Sequence, residues 1–114
     1  MRNFFLSAAS LMFFSASASA AVNGPTMPDY DVKKFCSGVV RTAGGGQAVL
    51  NSCYKQEQEA YNRLKRTWNA TPAATRSLCG DVSIVAGKSY TILDSCIEQE
   101  QRTAAENSRS GPKK

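Results

Sequence analysis

The sequence contains no histidine. Without an imidazole, Ser37, Ser52, Ser77, Ser89 and Ser95 have no general-base partner, and the usual neutral-pH proton shuttle is missing. No two cysteines stand closer than 17 positions, so neither a C-x-x-C redox motif nor paired zinc-ligand spacing occurs. Gly44-Gly45-Gly46 lacks the Lys-Ser/Thr that would complete a phosphate loop. Basic residues cluster only at Arg63-Leu64-Lys65-Arg66 and Lys113-Lys114, without the aromatic interleaving that stacks single-stranded bases. The residue inventory therefore argues against catalysis, a metal, a cofactor or a nucleic-acid partner.

Long apolar runs are also scarce. The longest, Phe4 to Phe14, follows the positive leader Met1-Arg2-Asn3 and precedes small residues ending in Ala18-Ser19-Ala20. That order matches a secretory signal peptide at 1–20, and the run is too short for a bilayer span of roughly 20 residues. No transmembrane segment is expected in the remaining 94 residues, which suit one small domain. With Arg2 removed, 13 basic and 9 acidic side chains leave a mild net charge of +4.

Four cysteines, at 36, 53, 79 and 96, remain in this exported chain. An even count in a small secreted protein reads as a disulfide framework, valuable where large aliphatic side chains are few. Aligning Cys36 with Cys79 places Cys53 on Cys96 without a gap. The same offset of 43 matches Val39 with Val82, Ala43 with Ala86, Gly44 with Gly87, Leu50 with Leu93 and Ser52 with Ser95. It also matches Gln56-Glu57-Gln58 with Gln99-Glu100-Gln101. A duplicated supersecondary unit explains all of these at once.

Each unit reads as two helices around a glycine break. Val32, Phe35, Cys36, Val39 and Val40 have helical spacing before Gly44, and Val49, Leu50, Cys53, Ala60, Tyr61, Leu64 and Trp68 have it afterwards. In the second unit Thr71-Pro72 supplies a helix start, and Leu78, Cys79, Val82, Ile84 and Val85 form the apolar set before Gly87. Ile92, Leu93, Cys96 and Ile97 open the last helix. The expected organisation is an extended segment at 21–29, hairpin 1 at 30–68, a linker at 69–72, hairpin 2 at 73–107 and a disordered basic tail at 108–114. The fold class is all-α: two tandem disulfide-stapled αα-hairpins packed as a small four-helix domain.

In each antiparallel hairpin the two cysteines fall at nearly equal heights. Of the three possible connectivities, the geometry favours Cys36–Cys53 and Cys79–Cys96. Val39 should then pack on Leu50, and Val82 on Leu93, one turn above each bridge. The same facing rule sets Lys33 opposite Glu57 and Arg76 opposite Glu100, which predicts two cross-hairpin ion pairs at the core edge. Tyr61 and Trp68 either close the core between hairpins or form an exposed binding hot spot.

The pattern Cys36…Gly44…Leu50-x-x-Cys53-x-x-x-Glu57-x-x-Ala60-x-x-x-Leu64-x-x-x-Trp68 resembles small exported alphaproteobacterial proteins with tandem cysteine-pair helical hairpins. The resemblance implies this fold and an envelope location. The second copy departs from it, with Thr103 for Ala60 and Asn107 for Leu64. Residues Phe35 to Trp68 also resemble the LprI-like lysozyme-inhibitor domain, although the cysteine spacing here is longer. The expected function is that of a periplasmic or secreted interaction or structural module whose partner is another envelope or secreted protein. Inhibition of a cell-wall hydrolase, or cationic binding to anionic envelope surfaces, is the alternative.

Overall fold

A computed structural model describes residues 26–111, so the expected signal peptide and the tail residues 112–114 lie outside the described residues. Four helices follow one another: α1 (Val32–Ala43), α2 (Gly46–Thr67), α3 (Ala73–Val85) and α4 (Tyr90–Ser110), with a 3₁₀ turn at Trp68–Ala70. There is no strand among the described residues. The all-α, two-hairpin architecture read from the repeat is the observed one.

Local chemistry sets the helix ends. The Asp31 side chain accepts the Lys34 N–H at 3.1 Å and caps α1. Gly45, at φ 91°, turns the chain into α2 where a Cβ would lie 2.1 Å from a Val49 methyl. Helix α3 ends in a Schellman arrangement: Lys88 N–H reaches the Ser83 carbonyl at 2.7 Å and Gly87 N–H reaches that of Ile84 at 3.2 Å. Thr71 does not cap α3 as expected. Its hydroxyl donates back to the Thr67 carbonyl at 3.0 Å, and Pro72 occupies the cap position. Helix α4 runs through Ser110, three residues past the expected end of hairpin 2.

The disulfides join Cys36 to Cys53 and Cys79 to Cys96, with Cα separations of 5.7 and 5.5 Å. Each closes its hairpin and removes unfolded-state entropy worth on the order of 3 kcal/mol. Helix α1 packs on α2, α2 on α4, and α4 on α3. Contacts from Glu57 to Tyr90 and from Arg63 to Asp94 show that α2 and α4 run side by side in the same direction. The core lies along that seam: Ala60 and Leu64 from α2 and Trp68 from the 3₁₀ turn meet Tyr90, Leu93 and Ile97 from α4, with Tyr30 and Cys79 at its sides.

This seam corrects part of the facing rule. Leu93 is fully buried, but Val82 is 43% exposed, so the expected Val82–Leu93 pair is not a buried one. Val39 and Leu50 are only half-buried. On α3 the small residues Gly80 and Ser83 face inward, while Leu78, Val82, Ile84 and Val85 are exposed. The buried positions of α3 are Cys79, Gly80 and Ser83, so this helix packs through small side chains, bridged to α4 by Cys79 and bonded to Tyr30 by Ser83, and leaves its aliphatic ones outside.

Candidate functional site

Residues 28–31 run across the junction of the two hairpins as a strap. The Tyr90 hydroxyl donates to the Pro28 carbonyl at 2.8 Å and accepts the Tyr30 N–H at 2.8 Å. The Tyr30 hydroxyl shares a short hydrogen bond with Ser83, and Ser83 in turn donates to the Gly80 carbonyl at 2.9 Å. The Tyr30 and Tyr90 rings lie 4.8 Å apart, and Tyr61 meets Tyr90 edge-on at 5.1 Å. Burial pushes both the Tyr30 and Tyr90 phenols above their ordinary pKa. The Ser83 hydrogen bond partly offsets this for Tyr30, and the Tyr30 N–H does so for Tyr90.

Glu57 stands beneath this cluster with only 1% of its surface exposed. Its carboxylate accepts the Ser89 hydroxyl at 2.5 Å, the Tyr90 N–H at 2.7 Å and the Thr91 N–H at 3.4 Å. Ser89 also accepts the Ile92 N–H at 3.3 Å. An acid from hairpin 1 thus caps the last helix of hairpin 2, where free N–H groups and the positive helix end favour an anion. The expected Lys33–Glu57 ion pair is therefore not made. Lys33 is exposed, and main-chain donors take the carboxylate.

The Arg76–Glu100 pair is not made either. Arg76 places its guanidinium 5.7 Å from the centre of the Trp68 ring, a cation–π contact. Among the described residues the ion pairs are Arg63–Asp94 at 2.9 Å, joining α2 to α4, and Arg102–Glu98 within α4. Trp68 belongs to the core at 3% exposure and cannot serve as a surface hot spot. Tyr61 is half-buried and packs against the core.

All four tyrosines of the chain, at 30, 54, 61 and 90, line one groove of about 420 Å³, together with Asp29, Lys33 and Gln58. The Tyr30 hydroxyl is committed to Ser83 on α3 and the Tyr90 hydroxyl to the strap, whereas Tyr54 and Tyr61 remain half-exposed along α2. Sequence reading singled out Tyr61 alone. The spacing of Tyr54, Gln58 and Tyr61 on one helix row was available there, but the approach of Tyr30 and Tyr90 depends on how the hairpins pack. A larger, open groove of about 890 Å³ runs between α1 and the α3–α4 turn, with Phe35, Val39 and Ile84 among Lys34, Arg41 and Lys88. Among the described residues no His, Cys, Asp and Glu cluster could hold a metal ion, and no helix is long and apolar enough to cross a membrane.

No family model, curated protein or solved structure matches the chain. Its two disulfides suit an oxidising, exported compartment.

Proposed function

We propose that the chain is a non-enzymatic protein-interaction module of the periplasm or the secreted fraction, and that the tyrosine groove is its binding face. The convergence of all four tyrosines on one concavity carries this reading. Tyrosine offers a large, stiff contact surface with a polar tip and is enriched where proteins meet. The two bridges and the Glu57 cap hold the groove walls in place, so little ordering cost falls on binding. The one hydroxyl described beside a carboxylate, Ser89 on Glu57, belongs to a cap in which Tyr90 and Thr91 N–H groups share that carboxylate, a structural use that supports binding over catalysis.

A photoreactive residue at Gln58 tests the assignment in the native envelope fraction, with a second at exposed Arg102 on α4 as the control. Crosslinks confined to position 58 are the expected result. Crosslinking from 102 alone would overturn the choice of face. A direct lysozyme-inhibition assay separates this reading from the hydrolase-inhibitor alternative: lysozyme left active is the expected result, and dose-dependent inhibition would favour the alternative.

A further inference from the structure

The shape and chemistry of the groove define the backbone class that fits it, on the assumption that the groove is the binding face. An extended peptide commonly docks by adding to a sheet edge, and there is no strand among the described residues. An amphipathic helix needs a broad aliphatic trough. Here Val32 is the one aliphatic side chain lining the groove, and half of the other lining residues are tyrosine. The lining has no arginine cluster for an acidic or phosphorylated motif, and its aromatic character fits a polyproline II segment, which docks on aromatic-lined grooves without needing a partner edge.

Spacing supports the same choice. Tyr54, Gln58 and Tyr61 stand at i, i+4 and i+7 on α2, a single helix row. At about 1.5 Å per residue, the two tyrosine positions are about 10.5 Å apart along the axis. One turn of polyproline II advances about 9.3 Å, three residues of about 3.1 Å each. Two prolines one turn apart can therefore each meet a tyrosine. Donor balance agrees as well. A polyproline II backbone has no internal hydrogen bonds, so its carbonyls need donors. The Tyr54 and Tyr61 hydroxyls make no hydrogen bond among the described residues, and Lys33 adds an ammonium. The charged lining is Asp29, Lys33 and Glu57, and the Glu57 carboxylate is already held by Ser89, Tyr90 and Thr91, which leaves one charge of each sign open to an uncharged proline-rich run.

We infer that the groove binds a proline-rich segment in the polyproline II conformation, with Tyr54 and Tyr61 stacking on prolines one turn apart. The probe is fluorescein-labelled decaproline, titrated by anisotropy against the mature chain with both disulfides intact. Saturable binding is expected, with main-chain NMR shifts at Tyr54, Gln58 and Tyr61. Tyr54→Ala and Tyr61→Ala should each weaken binding about tenfold or more, as stacked hot-spot residues do. Tyr54→Phe and Tyr61→Phe preserve packing and remove only the hydroxyl, so they should weaken it about two- to fivefold. Val85→Glu, on exposed α3, should leave it unchanged.

No saturation at millimolar decaproline, or shifts confined to other surfaces, overturns the inference, as does equal binding of a glycine–serine peptide of the same length. If Gln58 crosslinks a partner that decaproline does not displace, the groove remains the binding face and the polyproline assignment falls. If position 58 yields neither, both fall.

Discussion

The Glu57 carboxylate of the first hairpin accepts the main-chain N–H of Tyr90, first residue of the last helix, at 2.7 Å. That bond crosses 33 residues of sequence and makes the start of α4 dependent on the middle of α2. Replacing Glu57 with Gln removes the charge and sets an amide donor among N–H and O–H donors. The expected loss is about 1.5–3 kcal/mol in urea unfolding with the bridges intact, the range for hydrogen bonds to a charged group. Lys33→Ala should change stability by less than about 0.5 kcal/mol, since Lys33 is exposed. Equal losses from the two substitutions would restore the ion-pair account.

Leu93 and Val82 should respond in opposite ways. Leu93→Ala empties a fully buried site between α2 and α4 and should cost about 2–5 kcal/mol. Val82→Lys lies on an exposed face and should stay within about 0.5 kcal/mol of the parent. Thermal or denaturant unfolding reads both, and a large loss at Val82 would mean that α3 buries its aliphatic row.

Alkaline pH should weaken the fold through Tyr30 and Tyr90. Below about pH 10 both phenols are neutral in the folded and unfolded chains, so their contribution is fully present. Their folded pKa values are raised, so above about pH 10 the unfolded chain releases its protons first. Stability then falls with rising pH until the folded phenols ionise. Phenolate absorbance should show Tyr30 and Tyr90 ionising at higher pH in the folded chain than in the urea-unfolded chain, and Tyr30→Phe should remove one late step. Coincident curves for the folded and unfolded chains would contradict the burial of the pair.

Intact-mass measurement of the exported product should give a chain beginning at Ala21 and lighter by four hydrogens than its reduced form. Peptide mapping without reductant should recover Cys36 with Cys53 and Cys79 with Cys96, as the fold joins them. A product retaining Met1 would remove the signal-peptide reading.

The repeat carried most of the fold, because cysteine spacing and glycine breaks act within one hairpin. Equal spacing of Cys36–Cys53 and Cys79–Cys96 was enough to pair them before any packing was known. The errors arose between hairpins. Glu57 was legible as an inward acid, but its partner depends on how far hairpin 2 slides along hairpin 1. Leu78, Val82 and Val85 looked like a core row because hydrophobic periodicity cannot tell a covered face from an open one. Tyr30 and Tyr90 carried no local signal, since their meeting follows from the strap and the α2–α4 seam.

The joint between the hairpins is also built from side chains that the repeat does not share. Its head is Glu57 with Tyr61, Leu64 and Trp68, and its receiving end is Ser89 and Tyr90. Shifted by one repeat, the outer head reads Glu100, Ala104, Asn107 and Gly111, and the outer receiving end reads Gly46 and Gln47. The acid survives, but the aromatic and aliphatic side chains around it do not, and the cap position of α2 is Gly45, without a side-chain hydrogen bond. Among the described residues, a third unit would therefore not meet the same aromatic and aliphatic side chains at either outer end. The seat that joins one hairpin to the next is thus made once among the described residues rather than repeated head to tail.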